Sequence, residues 1–188
     1  MQKVLAVLTI VLMMGMVITR AALMKRQGVQ AMNFGKIDKT DFLIPPIAFF
    51  YFYLIFAAAF NFPTVSKHEF FHSETIAWLG VAFCLAGLLF LLWSLISFGQ
   101  SFRVGIDTEH PDKLITTGIF AFSRNPIYVA FAAILLGFFL IFPNWILLVY
   151  TMAAFWLFNR QVLREEEYLT GHYGQEYAAY CEKVPRYI

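Results

Sequence analysis

Two short hydrophilic segments stand out in this otherwise apolar chain. Residues 123–128 have the sequence SRNPIY, and residues 164–167 have the sequence REEE. Together they offer a guanidinium, an amide, a phenol and several carboxylates, which are groups that hold polar ligands and move protons. No charged side chain lies between Tyr128 and Arg160. An enzyme site is therefore expected wherever the fold brings these two segments together.

The apolar stretch between the two segments predicts an antiparallel pair of helices. Its two apolar runs cover residues 127–142 and 145–158, and the turn-forming pair Pro143-Asn144 separates them. Each run is shorter than the ~20 residues that cross a bilayer. A tight hairpin with partly polar ends is favoured over one bent helix, because proline and asparagine together indicate a turn.

A hairpin folded at this turn also predicts which residues lie side by side. Position 124 would be level with position 163, and position 120 with position 167, if both helices run straight from the turn. Arg124 would then approach the acidic residues 165–167. The predicted site depends on this contact.

The composition predicts an all-α integral membrane protein. Of the 188 residues, 60% are hydrophobic and only 14% are charged, whereas a soluble domain has about 25% charged residues. Three further apolar runs precede the hairpin, at residues 4–19, 42–60 and 76–98. The first is interpreted as a retained span and not as a signal peptide, because no small-x-small cleavage site follows it. About five transmembrane helices are therefore expected.

The distribution of positive charge predicts how these spans are oriented. One face receives twelve cationic residues and the other receives two, Lys3 and Lys67. By the positive-inside rule the cationic face is cytoplasmic, so the N-terminus lies on the opposite side and both hydrophilic segments face the cytoplasm. The twelve residues are Arg20, Lys25, Arg26, Lys36, Lys39, Arg103, Lys113, Arg124, Arg160, Arg164, Lys183 and Arg186.

The chain is expected to form a single membrane-embedded domain over residues 1–188. Residues 1–98 would hold three N-terminal spans, and residues 99–188 would hold a loop, the C-terminal helical hairpin and a cytoplasmic C-terminal amphipathic helix. That last helix is predicted over residues 165–182, because apolar and aromatic residues recur there at spacings of three and four.

The sequence gives little support to several other kinds of site. A net charge of +2 is too small to indicate nucleic-acid binding. Cys84 lies in an apolar run and Cys181 in the polar tail, so neither a disulfide between them nor a metal site is expected. His68 and His72 are spaced by four residues, but no third metal ligand accompanies them on their face of the membrane.

Four motifs follow one another in the C-terminal half. They are KLITTGIF at residues 113–120, SRNPIY at 123–128, the pair Glu165-Glu166, and YGQEY at 173–177. In this order and spacing they resemble the isoprenylcysteine carboxyl methyltransferase family, and the related phospholipid methyltransferases share the general pattern. The resemblance covers roughly residues 99–188.

The resemblance implies a membrane-embedded methyltransferase that uses S-adenosylmethionine and a lipid-linked or hydrophobic acceptor, without a soluble Rossmann domain. Members that act on prenylated cysteine often have histidine where this chain has Asn125. The implied cofactor-binding residues are Lys113, Leu114, Ile115, Gly118, Asn125, Pro126, Tyr128, Glu165 and Glu166. The implied catalytic residues are Arg124, Asn125, Tyr128 and Glu166.

The residue types also suit this cofactor on chemical grounds. S-adenosylmethionine carries a sulfonium, an ammonium and a carboxylate, so its site needs an acidic group, a cation and backbone donors or acceptors. Methyl transfer chiefly requires that two reactants be aligned. For an amine acceptor, Glu165, Glu166 or Tyr128 would be candidate bases.

Two alternative functions stay open from the sequence. A membrane reductase of the sterol-reductase type has a similar C-terminal arrangement, but NADPH would require more cationic residues than the acidic loop before the hairpin provides. A non-catalytic membrane scaffold or a small transporter subunit is the other alternative. Transport is disfavoured because the later spans carry no charged side chains, which ion and proton paths usually need.

Overall fold

The computed structural model describes residues 1–26, 44–62, 69–99 and 114–188, and for residues 44–46 it describes the backbone alone. Within these ranges the chain forms six α-helices and no strand, so the all-α prediction is confirmed. A 3-10 turn, Gly118–Ala121, precedes the fourth helix. The helices are α1 (Gln2–Arg26), α2 (Ile44–Ala59), α3 (Glu74–Ser97), α4 (Pro126–Ile141), α5 (Trp145–Tyr173) and α6 (Gln175–Lys183).

The helices have the lengths and surfaces of a membrane protein. Three of them, α1, α3 and α5, are long and apolar enough to cross a membrane, and α2 and α4 are shorter apolar helices. One apolar core contains residues from each of the five helices α1, α2, α3, α4 and α5. The outward side of α5 exposes Val149, Met152 and Trp156 by more than 60% each, which suits contact with lipid chains and not with water.

Helices α3 and α4 pack closely along a line of small residues. Gly80 and Gly87 of α3 lie against the backbone of α4, and Gly137 of α4 lies against α3. A Cβ atom added at Gly137 would be 2.6 Å from Cys84 Sγ and 2.6 Å from the carbonyl oxygen of Gly80. The absence of side chains at these positions therefore sets the distance between the two helices, as is common in membrane helix pairs.

The predicted hairpin is present, and Asn144 forms its turn. The Asn144 side chain caps α5 by accepting a hydrogen bond from the Leu147 amide at 2.9 Å, and it donates to the Phe142 carbonyl at 3.1 Å. The Pro143 carbonyl accepts from the amide of Phe70 at 2.8 Å. These bonds satisfy polar groups that would otherwise be buried without partners, and so they stabilise the reversal of the chain.

The C-terminal half differs from the sequence prediction in where its helices break. A separate amphipathic helix over residues 165–182 was expected, but α5 continues without interruption from the membrane segment to Tyr173. The break comes at Gly174, whose φ of 54° suits glycine and ends the helix. The acidic segment 164–167 therefore lies on the same rigid helix as the second arm of the hairpin.

The short helix α6 packs on the 3-10 turn that precedes α4. Tyr177 and Tyr180 are buried with Val184, and the Tyr180 hydroxyl donates to the Phe120 carbonyl at 2.6 Å. Burial raises the pKa of Tyr180 to about 12, so the hydroxyl keeps its proton and remains a donor. The carbonyl of Phe120 thus contacts α6. Glu167 is exposed, and the expectation that position 120 lies level with position 167 stays a prediction.

Candidate functional site

The structure brings the two hydrophilic segments together at the end of the hairpin opposite its turn. Arg124 Nη1 lies 3.3 Å from Glu166 Oε1, and Asn125 Nδ2 donates to the same oxygen at 3.2 Å. The side chains of Arg124 and Glu166 are only 12% and 10% exposed. The predicted contact between Arg124 and the acidic segment is confirmed.

The contact involves the middle residue of the acidic run 165–167. Arg124 Nη1 reaches Glu166, three residues beyond position 163, which the prediction placed level with Arg124. Arg124 itself lies just before α4, which begins at Pro126.

Glu166 is the centre of the cluster. Four nitrogen atoms lie within 3.3 Å of its carboxylate, namely Arg124 Nη1, Asn125 Nδ2 and the Nε and Nη2 atoms of Arg186. Both Arg186 atoms are 2.9 Å from Oε2. A carboxylate offers about four lone-pair positions, so this arrangement uses the accepting capacity of Glu166 in full.

Asn125 occupies the N-cap position of α4 without capping it. Its side-chain nitrogen instead donates to Glu166 Oε1 and to the Arg186 carbonyl at 3.1 Å. Pro126, which is buried, begins the helix, and its missing amide hydrogen removes one of the unpaired donors at the helix start. The side chain of Asn125 therefore contributes to the site and not to the cap of α4.

The second glutamate of the pair has a different environment. Glu165 Oε1 accepts from the Tyr128 hydroxyl at 2.7 Å and from Gln161 Nε2 at 3.2 Å. Successive helical residues point about 100° apart, so Glu165 faces Tyr128 while Glu166 faces the two arginines. Glu165 thus contacts a phenol and an amide, whereas Glu166 contacts two guanidiniums and the amide of Asn125.

The other predicted cofactor-binding residues lie on the segment that leads into the 3-10 turn, except Lys113, which lies outside the described residues. Leu114 and Ile115 are half-buried, and Leu114 packs against the cluster around Tyr177. Gly118 is exposed with a φ of 65°, and a Cβ atom there would meet the side chain of Ser97. The segment is thus fixed beside α3 and α6, close in sequence to Arg124.

Three residues of this cluster were not predicted as site residues. Arg186 contacts Glu166, while Cys181 accepts a hydrogen bond from Arg124 Nη1. Tyr177 is buried beside them, and burial followed by the charge of Glu166 raises its pKa. The sequence offered only a general reason to expect a residue such as Arg186 in the site, namely that a run of carboxylates needs cations nearby.

Arg124 stays charged in its partly buried position. Burial disfavours its charged form, but Glu166, Cys181 and Tyr177 outweigh burial and raise the pKa of Arg124. Its Nε atom is buried and has no hydrogen-bond partner among the described residues. A buried donor of this kind fits an acceptor atom of a bound ligand.

The remaining expectations concern cysteines and histidines. Cys84 is buried and Cys181 is partly buried, and both are free. His72 is exposed, and His68 lies outside the described residues. Within the described ranges, no group of three or more metal-binding side chains is arranged to hold an ion.

Replacing Asn125 with aspartate is expected to destabilise the site. The change removes both hydrogen bonds from Nδ2 and sets a second carboxylate about 3.2 Å from Glu166. We expect the free energy of unfolding to fall by about 2 kcal/mol or more, measured by chemical unfolding in mixed micelles. Asn159→Asp is the matched control, because exposed Asn159 only accepts from Tyr187 and a carboxylate accepts equally well. Equal stability of the two variants would contradict the assigned contacts.

The described residues thus define a helical membrane protein with a charged, partly buried site, formed where a helical hairpin meets a short C-terminal helix and the end of the chain. A family model described as phospholipid methyltransferase matches residues 75–176, which is more than half of the chain. The protein belongs to the phospholipid methyltransferase family. The matched segment contains α3, both arms of the hairpin and the pair Glu165-Glu166.

Curated relatives carry a more specific name. The chain is 32% identical over 95 residues to protein-S-isoprenylcysteine O-methyltransferase of Schizosaccharomyces pombe, an alignment that covers 49% of this chain and 40% of that protein. It is 29% identical over 118 residues to the enzyme of that name from Xenopus laevis, covering 60% and 41%. The chain therefore spans about two fifths of the length of these relatives. The family resemblance inferred from the motifs is confirmed.

Proposed function

We propose that this protein transfers a methyl group from S-adenosylmethionine to a lipid-linked or hydrophobic acceptor. The observation that carries the proposal is the cluster of Arg124, Asn125 and Glu166. Residues 124–125 and Arg186, which are far apart in sequence, both contact the buried carboxylate of Glu166. Residues 123–128 and the pair Glu165-Glu166 also lie within residues 75–176, which the phospholipid methyltransferase family model matches.

The chemistry of the donor set suits this cofactor. The unpartnered Nε–H group of Arg124 would donate a hydrogen bond to the cofactor carboxylate. The backbone of Leu114, Ile115 and Gly118 would offer hydrogen bonds to its polar edges, and Glu165 would hold a polar group. Glu166, whose carboxylate already has four nitrogen neighbours, would keep Arg124 and Asn125 in place.

The residues of the site would contribute to methyl transfer by aligning the two reactants and by moving a proton. S-adenosylmethionine, when bound, supplies a methyl group on a positively charged sulfur. The Arg124 cluster would fix the geometry between cofactor and acceptor, and such positioning accounts for much of the rate in a reaction of this type. If the acceptor is an amine, the Tyr128 oxygen would take the proton that the amine loses while the Tyr128 hydroxyl proton passes to Glu165, to which it donates at 2.7 Å.

The proposed acceptor is a lipidated or lipid-like molecule that enters from the membrane. The relatives named above are named for a prenylated cysteine carboxylate, and the exposed apolar side of α5 runs from the bilayer up to the site. The site would face the cytoplasm and the N-terminus the opposite side. The support for this orientation is the charge distribution, with twelve cationic residues on one face and two on the other.

Two measurements test the proposal. Titration calorimetry on detergent-solubilised protein should detect binding of S-adenosylmethionine and not of NADPH. Incubation of the protein and methyl-labelled cofactor with a total membrane extract should then place the label in one lipid or lipoprotein fraction. Binding of NADPH alone would favour the reductase, and binding of neither cofactor would favour a scaffold or transporter subunit.

A further inference from the structure

The last residues of the chain form a strap across the site. The strap, residues 184–188, follows α6 and begins with the buried Val184. The Pro185 carbonyl accepts from the Arg124 amide at 3.0 Å, and the Arg186 carbonyl accepts from Asn125 Nδ2 at 3.1 Å. The strap is therefore bound through its backbone to the residues that precede α4.

These backbone contacts fix the place from which the Arg186 side chain reaches Glu166. Its Nε and Nη2 atoms both approach Oε2 at 2.9 Å. The Arg186 side chain is 41% exposed, whereas that of Glu166 is 10% exposed. An exposed ion pair usually contributes little, but here a forked donor meets a buried carboxylate whose other oxygen contacts Arg124 and Asn125. The carboxylate is thus restrained from both sides.

We infer that Arg186 is a positioning residue of the site: it fixes the orientation of Glu166 and, through Glu166, the side chains of Arg124 and Asn125. The inference rests on the proposed methyl transfer. Arg186 lies beyond residues 75–176, the segment that the family model matches. Its role depends on the fork of N–H groups, which a lysine ammonium cannot reproduce.

The test compares three variants of the full chain in lipid nanodiscs. Arg186→Gln removes the fork and the charge, and Arg186→Lys restores only the charge. Lys183→Gln is the matched control, because Lys183 is an exposed cation near the same end of the chain. Cofactor affinity, kcat and KM for methyl transfer, and thermal unfolding are measured for each.

We expect Arg186→Gln to lower kcat/KM by about tenfold, with a smaller loss in Arg186→Lys and activity near wild type in Lys183→Gln. The effect of Arg186→Gln should also vanish in a Glu166→Gln background, because contacting residues that act as a unit are not additive. A structural role unconnected with Glu166 would instead add its loss to that of Glu166→Gln.

Three results would overturn the inference. They are full activity of Arg186→Gln, an equal loss in Lys183→Gln, and additive losses in the double variant. Failure of the proposed function can be distinguished from failure of the positioning role, because the wild-type protein would then neither bind S-adenosylmethionine nor transfer a methyl group. An active wild type with an unaffected Arg186→Gln variant rejects the positioning role alone.

Discussion

Replacing Glu166 with glutamine should reduce methyl transfer by about a hundredfold or more. The glutamine keeps the shape of the side chain but removes the charge that holds Arg124 and Arg186. Removing one partner of a buried ion pair costs about 3 kcal/mol or more, and each 1.4 kcal/mol corresponds to roughly tenfold. Turnover and cofactor affinity should fall together, because the guanidinium of Arg124 would no longer be fixed. Both are measured on protein reconstituted in lipid.

The neighbouring carboxylate provides the control for this change. Glu167 is exposed, whereas Glu166 is buried, so Glu167→Gln removes the same charge from the same helix without disturbing the cluster. We expect this variant to behave like wild type. Thermal unfolding of Glu166→Gln should retain one cooperative transition, because the apolar core of the bundle lies elsewhere. Wild-type turnover in Glu166→Gln would reject the assigned site.

Adding one methyl group at Gly137 should strongly disturb the packing of α3 against α4. The new Cβ atom would lie 2.6 Å from the Gly80 carbonyl oxygen and 2.9 Å from the Cys84 amide nitrogen, which are backbone atoms and cannot rotate away. Helices α3 and α4 would have to separate. Overpacking of this kind costs about 1–3 kcal/mol or more. We expect Gly137→Ala to lower the temperature of unfolding in detergent and the yield of folded protein.

Gly15 of α1 is a matched control for Gly137. A Cβ atom at Gly15 would meet nothing within 4 Å, so Gly15→Ala adds the same methyl group to open space. Because alanine favours helix more than glycine by about 1 kcal/mol, this variant should be as stable as wild type or more stable. Equal loss of stability in the two variants would mean that the close approach of α3 and α4 is not what limits substitution at Gly137.

The sequence predicted the hairpin and the contact between its two polar ends. Both rest on local signals: the lengths of apolar runs, and a proline and asparagine that can only continue as a turn. It did not predict that α5 runs on to Tyr173, because the three- and four-residue spacing of apolar and aromatic residues from position 165 was interpreted as a separate amphipathic helix. The first break in the helix comes only at Gly174.

By itself, the sequence determined an all-α membrane protein with a guanidinium, an amide and carboxylates at one end of a hairpin. The length of an apolar run and the residues that form a turn are properties of neighbouring residues, so they can be recognised in the sequence without knowledge of the fold. Only the tertiary structure decided that Glu165 pairs with Tyr128 while Glu166 pairs with Arg124 and with Arg186. Such pairings depend on the rotation of each helix and on where the end of the chain packs, and these are fixed by contacts between residues far apart in sequence.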